Sequence, residues 1–159
     1  MYGREAPGVT LPLNGRRRLV FETVVVGADG SDTAAEAVRV ATELVKLSNG
    51  NLHIVTAYRP QQLQSSAGSE FSESLTSDDL AQSVLTELAS RARTNGVAVD
   101  THLKTGTPAD AICEVATQVK ADVIVVGNKG MTGLRRVLGS VPNSVAHQAP
   151  CAVLIAFTT

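Results

Sequence analysis

Two short runs dominate what this chain can become: Thr23-Val24-Val25-Val26-Gly27 and Asp122-Val123-Ile124-Val125-Val126-Gly127, β-branched stretches that each stop at a glycine. Apolar side chains at every position, rather than at alternate ones, suit strands buried on both faces. Such strands belong to parallel sheets with helices packed on either side. The segments between the runs carry the helical period. After the first, Ser31 or Asp32 caps a helix in which Ala34, Val38, Ala41 and Val45 recur at helical spacing, and Asn49-Gly50 stops it. Leu52 to Tyr58 reads as a second strand, ended by Pro60. A further helix starts near Asp78, with Ala81, Val84, Leu85, Leu88 and Ala92 on one face and Asn95-Gly96 as its stop.

Val97, Val99, Thr101 and Leu103 alternate with polar residues, the pattern of a strand with one solvated face nearer a sheet edge. Thr107-Pro108-Ala109-Asp110 supplies a capping hydroxyl, a first-turn proline and an acid at the positive end of a helix whose apolar line is Ile112, Val115 and Val119. Pro150 precedes a last strand from Cys151 to Phe157. Five strands thus alternate with four helices. Helical crossovers make the strands mostly parallel, so the expected fold is α/β, a single doubly wound open sheet.

At 159 residues the chain has the length of one domain. Residues 1–20, with Pro7-Gly8, Pro12 and Asn14-Gly15 and no periodicity, read as a flexible N-terminal extension, leaving 21–159 as the domain. The Gln- and Ser-rich stretch 59–77 reads as a mobile loop. A formal net charge of −1, with Arg16-Arg17-Arg18 as the one basic run, argues against a nucleic-acid-binding surface. Cys113 and Cys151 lack CxxC spacing and read as small core hydrophobes, not as a zinc site or a disulfide framework. His53, His102 and His147 are scattered along the chain, which does not suggest a metal cluster. No apolar stretch reaches the roughly 18 residues of a membrane span. The arginines near the N-terminus are not followed by the apolar run of a secretory signal, so a cytoplasmic address is expected.

In open α/β sheets ligands bind outside the carboxyl ends of the strands, where strand order reverses. The two glycine-ended strands are the most apolar and so the most central. Their loops, Ala28-Asp29-Gly30-Ser31 and Asn128-Lys129-Gly130, are expected side by side. The second loop opens a segment, Gly127 to Val141, with four glycines in its first 13 residues. Ser140 reads as an N-cap with Pro142 in the first turn, and free N–H groups at a helix start attract anions. The expected phosphate donors are the N–H groups of Gly130, Gly139, Ser140 and Val141 with the Ser140 hydroxyl, while Lys129, Arg135 and Arg136 add positive charge. Turn geometry alone also calls for glycines at strand ends, so the residues leave phosphate binding and plain turn-making both open. Neither a Walker A loop nor a GxGxxG fingerprint is present.

These residues resemble the universal stress protein family. Its phosphate motif is Gly, two residues, Gly, about nine residues, then Gly-Ser or Gly-Thr; here Gly127, Gly130, Gly139 and Ser140 stand at those places, with eight residues between Gly130 and Gly139. Val24-Val25-Val26-Gly27-Ala28-Asp29-Gly30-Ser31 is similar to the family's first strand and turn. Thr105-Gly106-Thr107-Pro108, Gly139-Ser140-Val141-Pro142 and His147-Gln148-Ala149-Pro150-Cys151 are similar to its later motifs, in order. The resemblance implies strand order 3-2-1-4-5, as in flavodoxin-like and adenine-nucleotide α-hydrolase-like folds, and an adenine nucleotide, ATP first and cyclic AMP as the alternative, bound as a regulatory or stress-response ligand.

By the same resemblance Ala28 and Ile54 line the adenine pocket, Val126 and Gly127 pass under the sugar, and Gly130, Gly139, Ser140 and Val141 cradle the phosphates. Lys129 contacts phosphate or stays solvated. Asp29 serves as a hydroxyl acceptor or a Mg²⁺ ligand through water, or caps the helix after Gly30. The last strand, residues 151–157, implies a homodimer, against a monomer whose edge is covered by a loop or the N-terminal arm. No poised general base stands near the motif, so an enzymatic role extends at most to slow ATP hydrolysis with Asp29 and a metal as its agents. A nucleotide-independent interaction protein is the remaining class.

Overall fold

In the computed structural model, which describes residues 21–60, 77–128 and 140–158, the two β-branched runs are neighbouring strands. β1 (Thr23–Gly27) pairs in parallel with β4 (Val123–Gly127), Val24 opposite Val123 and Val26 opposite Val125. On one side of this pair follow β2 (Asn51–Tyr58) and β3 (Ala98–Thr105); on the other lies β5 (Ala152–Ala156). The sheet order is β3-β2-β1-β4-β5, and every pairing is parallel. The order and the α/β class are those expected from the sequence.

The helices are α1 (Asp32–Ser48), α2 (Ser77–Thr94), α3 (Pro108–Val119) and α4 (Val141–Gln148). Side chains alternate across a strand, so each central strand feeds two cores. Val24, Val26, Leu52, Ile54, Val123 and Val125 pack with Ala37 and Ala41 of α1 and Leu85 and Ala89 of α2. Val25, Val55, Ile124 and Val126 pack with Ile112, Val115 and Ala116 of α3 and Val145 of α4. Each fully buried valine or isoleucine contributes about 1.5–3 kcal/mol over its exposed state. This is why the runs are apolar at every position.

Capping residues set the helix limits. Ser31, not Asp32, is the N-cap of α1: its side chain accepts from the Ala34 N–H, and Asp32 occupies the first turn. Asn49 ends α1 in the left-handed conformation, φ 52°, and Thr107 caps α3 by accepting from the Asp110 N–H. The edges differ as the patterns foretold. β3 is exposed or half-buried along its whole length. β5 presents Leu154 and Ile155, with Phe157 just beyond it 72% exposed. The N-terminal stretch 1–20 and most of the loop reading at 59–77 (residues 61–76) lie outside the described residues. No described helix is long and apolar enough to cross a membrane.

Candidate functional site

The strand order reverses between β1 and β4, and a cleft opens at their carboxyl ends. It encloses about 420 Å³, within the range of small-molecule sites. Its floor is the turn after β1. The Ala28 N–H donates to the Val55 carbonyl at 2.8 Å, and the buried Thr56 hydroxyl donates to the Ala28 carbonyl at 2.8 Å. Both polar groups of Ala28 are therefore held by β2, which fixes the height of the loop above the sheet.

Asp29 organises the next step. Its Oδ1 accepts from the Ser31 N–H at 3.0 Å and from the Ser31 hydroxyl at 2.5 Å, and the Ser31 oxygen lies 3.0 Å from Thr33 Oγ1. The carboxylate thus supports the residue that caps α1 instead of capping the helix itself. Gly30, at φ +79°, makes the turn between them. Gly127 is needed for close approach: a Cβ there would stand 3.0 Å from the Thr33 carbonyl oxygen, tighter than side chains ordinarily come.

The opposite wall is the start of α4 with part of α3. Ser140 has N-cap backbone geometry, φ −65° and ψ 146°, yet its side chain makes no capping hydrogen bond, so its hydroxyl is available to the cleft it lines. Pro142 sits in the first turn, where its missing N–H costs nothing. The lining is otherwise apolar, from Val55, Ala57, Pro108, Ile112, Val126 and Val141. Apolar walls and a helix start suit a flat apolar group carrying an anionic tail, and the exposed carboxylate at the rim suits a hydroxyl donor or a cation beside it.

Of the residues singled out from the sequence, the fold brings Ala28, Asp29, Val126, Gly127, Ser140 and Val141 into this one cleft. Ile54 is corrected. It is fully buried on the opposite face of the sheet with Val24 and Val26, and the strand alternation puts Val55 and Ala57 on the cleft instead. Lys129, Gly130 and Gly139, with Arg135 and Arg136, lie outside the described residues. Thr33, Pro108 and Ile112 also line the cleft and escaped the sequence reading. Thr33 had a signal, as the second residue after the Ser31 cap; Ile112 read only as a core position.

The histidines are less scattered than their spacing suggests, because β2–β3 pairing brings His53 and His102 together while His147 stays exposed on α4. Among the described residues no group of three or more potential ligands is arranged to hold a metal. Cys113 and Cys151 are free thiols packed in the α3–α4 core, and burial raises the pKa of both, as expected of small hydrophobes.

The profile of the Universal stress protein family matches residues 21–156. The chain belongs to that family. A universal stress protein of Mycobacterium tuberculosis is 36% identical over 144 residues, spanning 87% of this chain and 98% of the relative. One from Methanocaldococcus jannaschii is 32% identical over 140 residues, spanning 86% and 82%. Among solved structures, a universal stress protein in complex with cAMP is similar with a TM-score of 0.72 at 38% identity, covering 87% of this chain and 98% of that one. The Archaeoglobus fulgidus universal stress protein in complex with dAMP has a TM-score of 0.62 at 26% identity, covering 86% and 98%. In this universal stress protein domain the cleft lies over the β1–β4 junction, the switch point of the sheet.

Proposed function

We propose that this universal stress protein binds an adenine nucleotide, as a regulatory ligand, in the cleft above β1 and β4. The observation that carries the reading is the convergence on one largely apolar cleft of the turn after β1 (Ala28, Asp29, Ser31), the end of β4 (Val126, Gly127) and the start of α4. In this arrangement Ala28, Val55 and Ala57 meet the base, and Val126 and Gly127 run beneath the sugar. Ser140 and Val141, joined by Lys129, Gly130 and Gly139, receive phosphate. Asp29 accepts from a ribose hydroxyl. An oxygen donor at the cleft rim also suits Mg²⁺, which would be held by Asp29 through water and by phosphate oxygens, and would neutralise phosphate charge. The complexes of related universal stress proteins with cAMP and dAMP support the adenine class.

ATP is the ligand for which the whole Gly127–Val141 segment has a use, since three phosphates call for many donors. Cyclic AMP is the second reading, favoured by the cAMP complex of a protein 38% identical to this one. Binding, not turnover, is the proposed role, with hydrolysis of ATP slow at most. We place this role in the cytoplasm, where adenine nucleotides are held, and in a homodimer joined through β5, whose exposed Leu154 and Ile155 would be covered by the same strand of a second copy.

The test is to denature freshly purified protein and identify any released nucleotide by mass spectrometry, then to measure thermal shifts with ATP, ADP, AMP and cyclic AMP. A ligand at about 100 times its dissociation constant adds about 2.7 kcal/mol of stability. A shift with ATP that grows with Mg²⁺ supports the first reading, and one with cyclic AMP that ignores Mg²⁺ the second. No shift with any of the four favours a nucleotide-independent interaction protein.

A further inference from the structure

Beyond the cleft lining, one buried polar contact ties the glycine-rich segment to a different part of the chain. β4 and β5 run in register to the rung Gly127–Ala156. Past that rung β4 enters the segment at Asn128, while β5 continues through the exposed Phe157 to Thr158. There the strands are joined again by side chains. Asn128 Oδ1 accepts from the Thr158 N–H at 3.0 Å and from the Thr158 hydroxyl at 2.5 Å, and both residues are buried. A carboxamide oxygen in this setting exchanges poorly with water, so both bonds specify one position for Asn128.

The position matters for the cleft because of what flanks Gly127. The site of a Cβ on Gly127 lies 3.0 Å from the Thr33 carbonyl oxygen and 3.6 Å from Thr158 Oγ1. Gly127 and Thr33 both line the cleft. Thr158 therefore packs beside a glycine of the cleft lining, and its hydroxyl holds the residue that follows.

We infer that Asn128 and Thr158 form a positioning pair for the nucleotide cleft: the residue that follows β5 by two fixes Asn128 and, through it, the height of Gly127 in the cleft. The inference rests on the nucleotide reading. It also connects the β5 edge to the ligand, since a shift of that edge reaches Asn128 through one side chain. Both residues act through Gly127, not by touching the ligand.

Thr158→Val keeps the shape and the N–H but removes the hydroxyl, and Thr158→Ser keeps the hydroxyl. Affinities for ATP and cyclic AMP are measured by calorimetry at a temperature where the unfolding curves show all three proteins fully folded. Amide hydrogen exchange at Gly127 and Asn128 is followed without ligand. Loss of one buried hydrogen bond predicts about three- to tenfold weaker nucleotide binding in Thr158→Val and faster exchange at those amides, with Thr158→Ser close to wild type on both. Wild-type affinity in a Thr158→Val protein of lowered melting temperature would reduce the pair to a structural tie and overturn the inference. A wild-type chain that binds neither nucleotide removes the nucleotide reading instead; the positioning of Gly127 then stands or falls on the exchange rates alone.

Discussion

His53 Nδ1 lies 3.1 Å from His102 Nε2 across the β2–β3 pair, with Asp100 Oδ2 3.7 Å from the same His53 nitrogen. One ring donates and the other accepts, so the contact needs at least one neutral imidazole. Burial lowers the pKa of both rings below the usual 6.5. For His102 the neighbouring His53 adds to the lowering, and Asp100 opposes it for both. In the window below about pH 6.5 the unfolded chain therefore binds more protons than the folded one, and stability rises with pH there.

Chemical denaturation between pH 8 and pH 5 should show the protein at full stability above about pH 6.5 and weaker as the pH falls beneath it. A His53→Gln, His102→Gln double variant should have a shallower slope over this range. An unchanged slope in the double variant would assign the pH dependence to other groups.

Thr56→Val should destabilise the fold and the cleft together. The near-isosteric change leaves the Ala28 carbonyl without the Thr56 hydroxyl in a buried setting, at a cost of about 1–3 kcal/mol. Urea unfolding measures the stability loss. Because Ala28 is the cleft floor, nucleotide affinity measured on the folded protein should drop as well; a stability loss with unaltered affinity would dissociate the turn from the site.

Gly50→Ala is expected to be costly although the position is far from the cleft. The added Cβ would collide with the Glu22 carbonyl oxygen, which already accepts from the Asn51 N–H at 2.7 Å. Backbone must move, at about 1–3 kcal/mol. Thermal melting of the variant should fall while its ligand preference stays that of the wild type.

Asp29→Asn separates the structural and electrostatic parts of one side chain. The amide oxygen still accepts from Ser31, so the turn should survive. The charge is lost, so any Mg²⁺-dependent gain in ATP affinity should disappear, whereas cyclic AMP binding should change by about twofold or less. Retained Mg²⁺ dependence would place the metal on other groups.

How far the sequence led follows from where its signals are local. β1 and β4 were legible because a run apolar at every position admits one environment, a strand covered on both faces. Thr107 and Asn49 were legible, and the α1 cap was narrowed to Ser31 or Asp32, because caps act over three or four residues. β2 did not reveal which of its sides meets the cleft: Leu52 and Ile54 face one core and Val55 the other, and the polar His53 and Thr56 fall on opposite faces, so no alternation marks the phase. Contacts set by register escaped too. His53 and His102 are 49 residues apart, Asn128 and Thr158 are 30 apart, and each pair meets only once the strands are laid side by side.

The central claim, an adenine nucleotide in the cleft above β1 and β4, is tested most directly by calorimetric titration of the purified, nucleotide-stripped chain with ATP plus Mg²⁺ and, separately, with cyclic AMP. Saturable binding of at least one of them at one site per chain, lost when Gly127→Val crowds the Thr33 carbonyl that borders the cleft in a protein that still unfolds cooperatively, is the predicted result. Absence of binding to both, or binding undiminished in Gly127→Val, would contradict it.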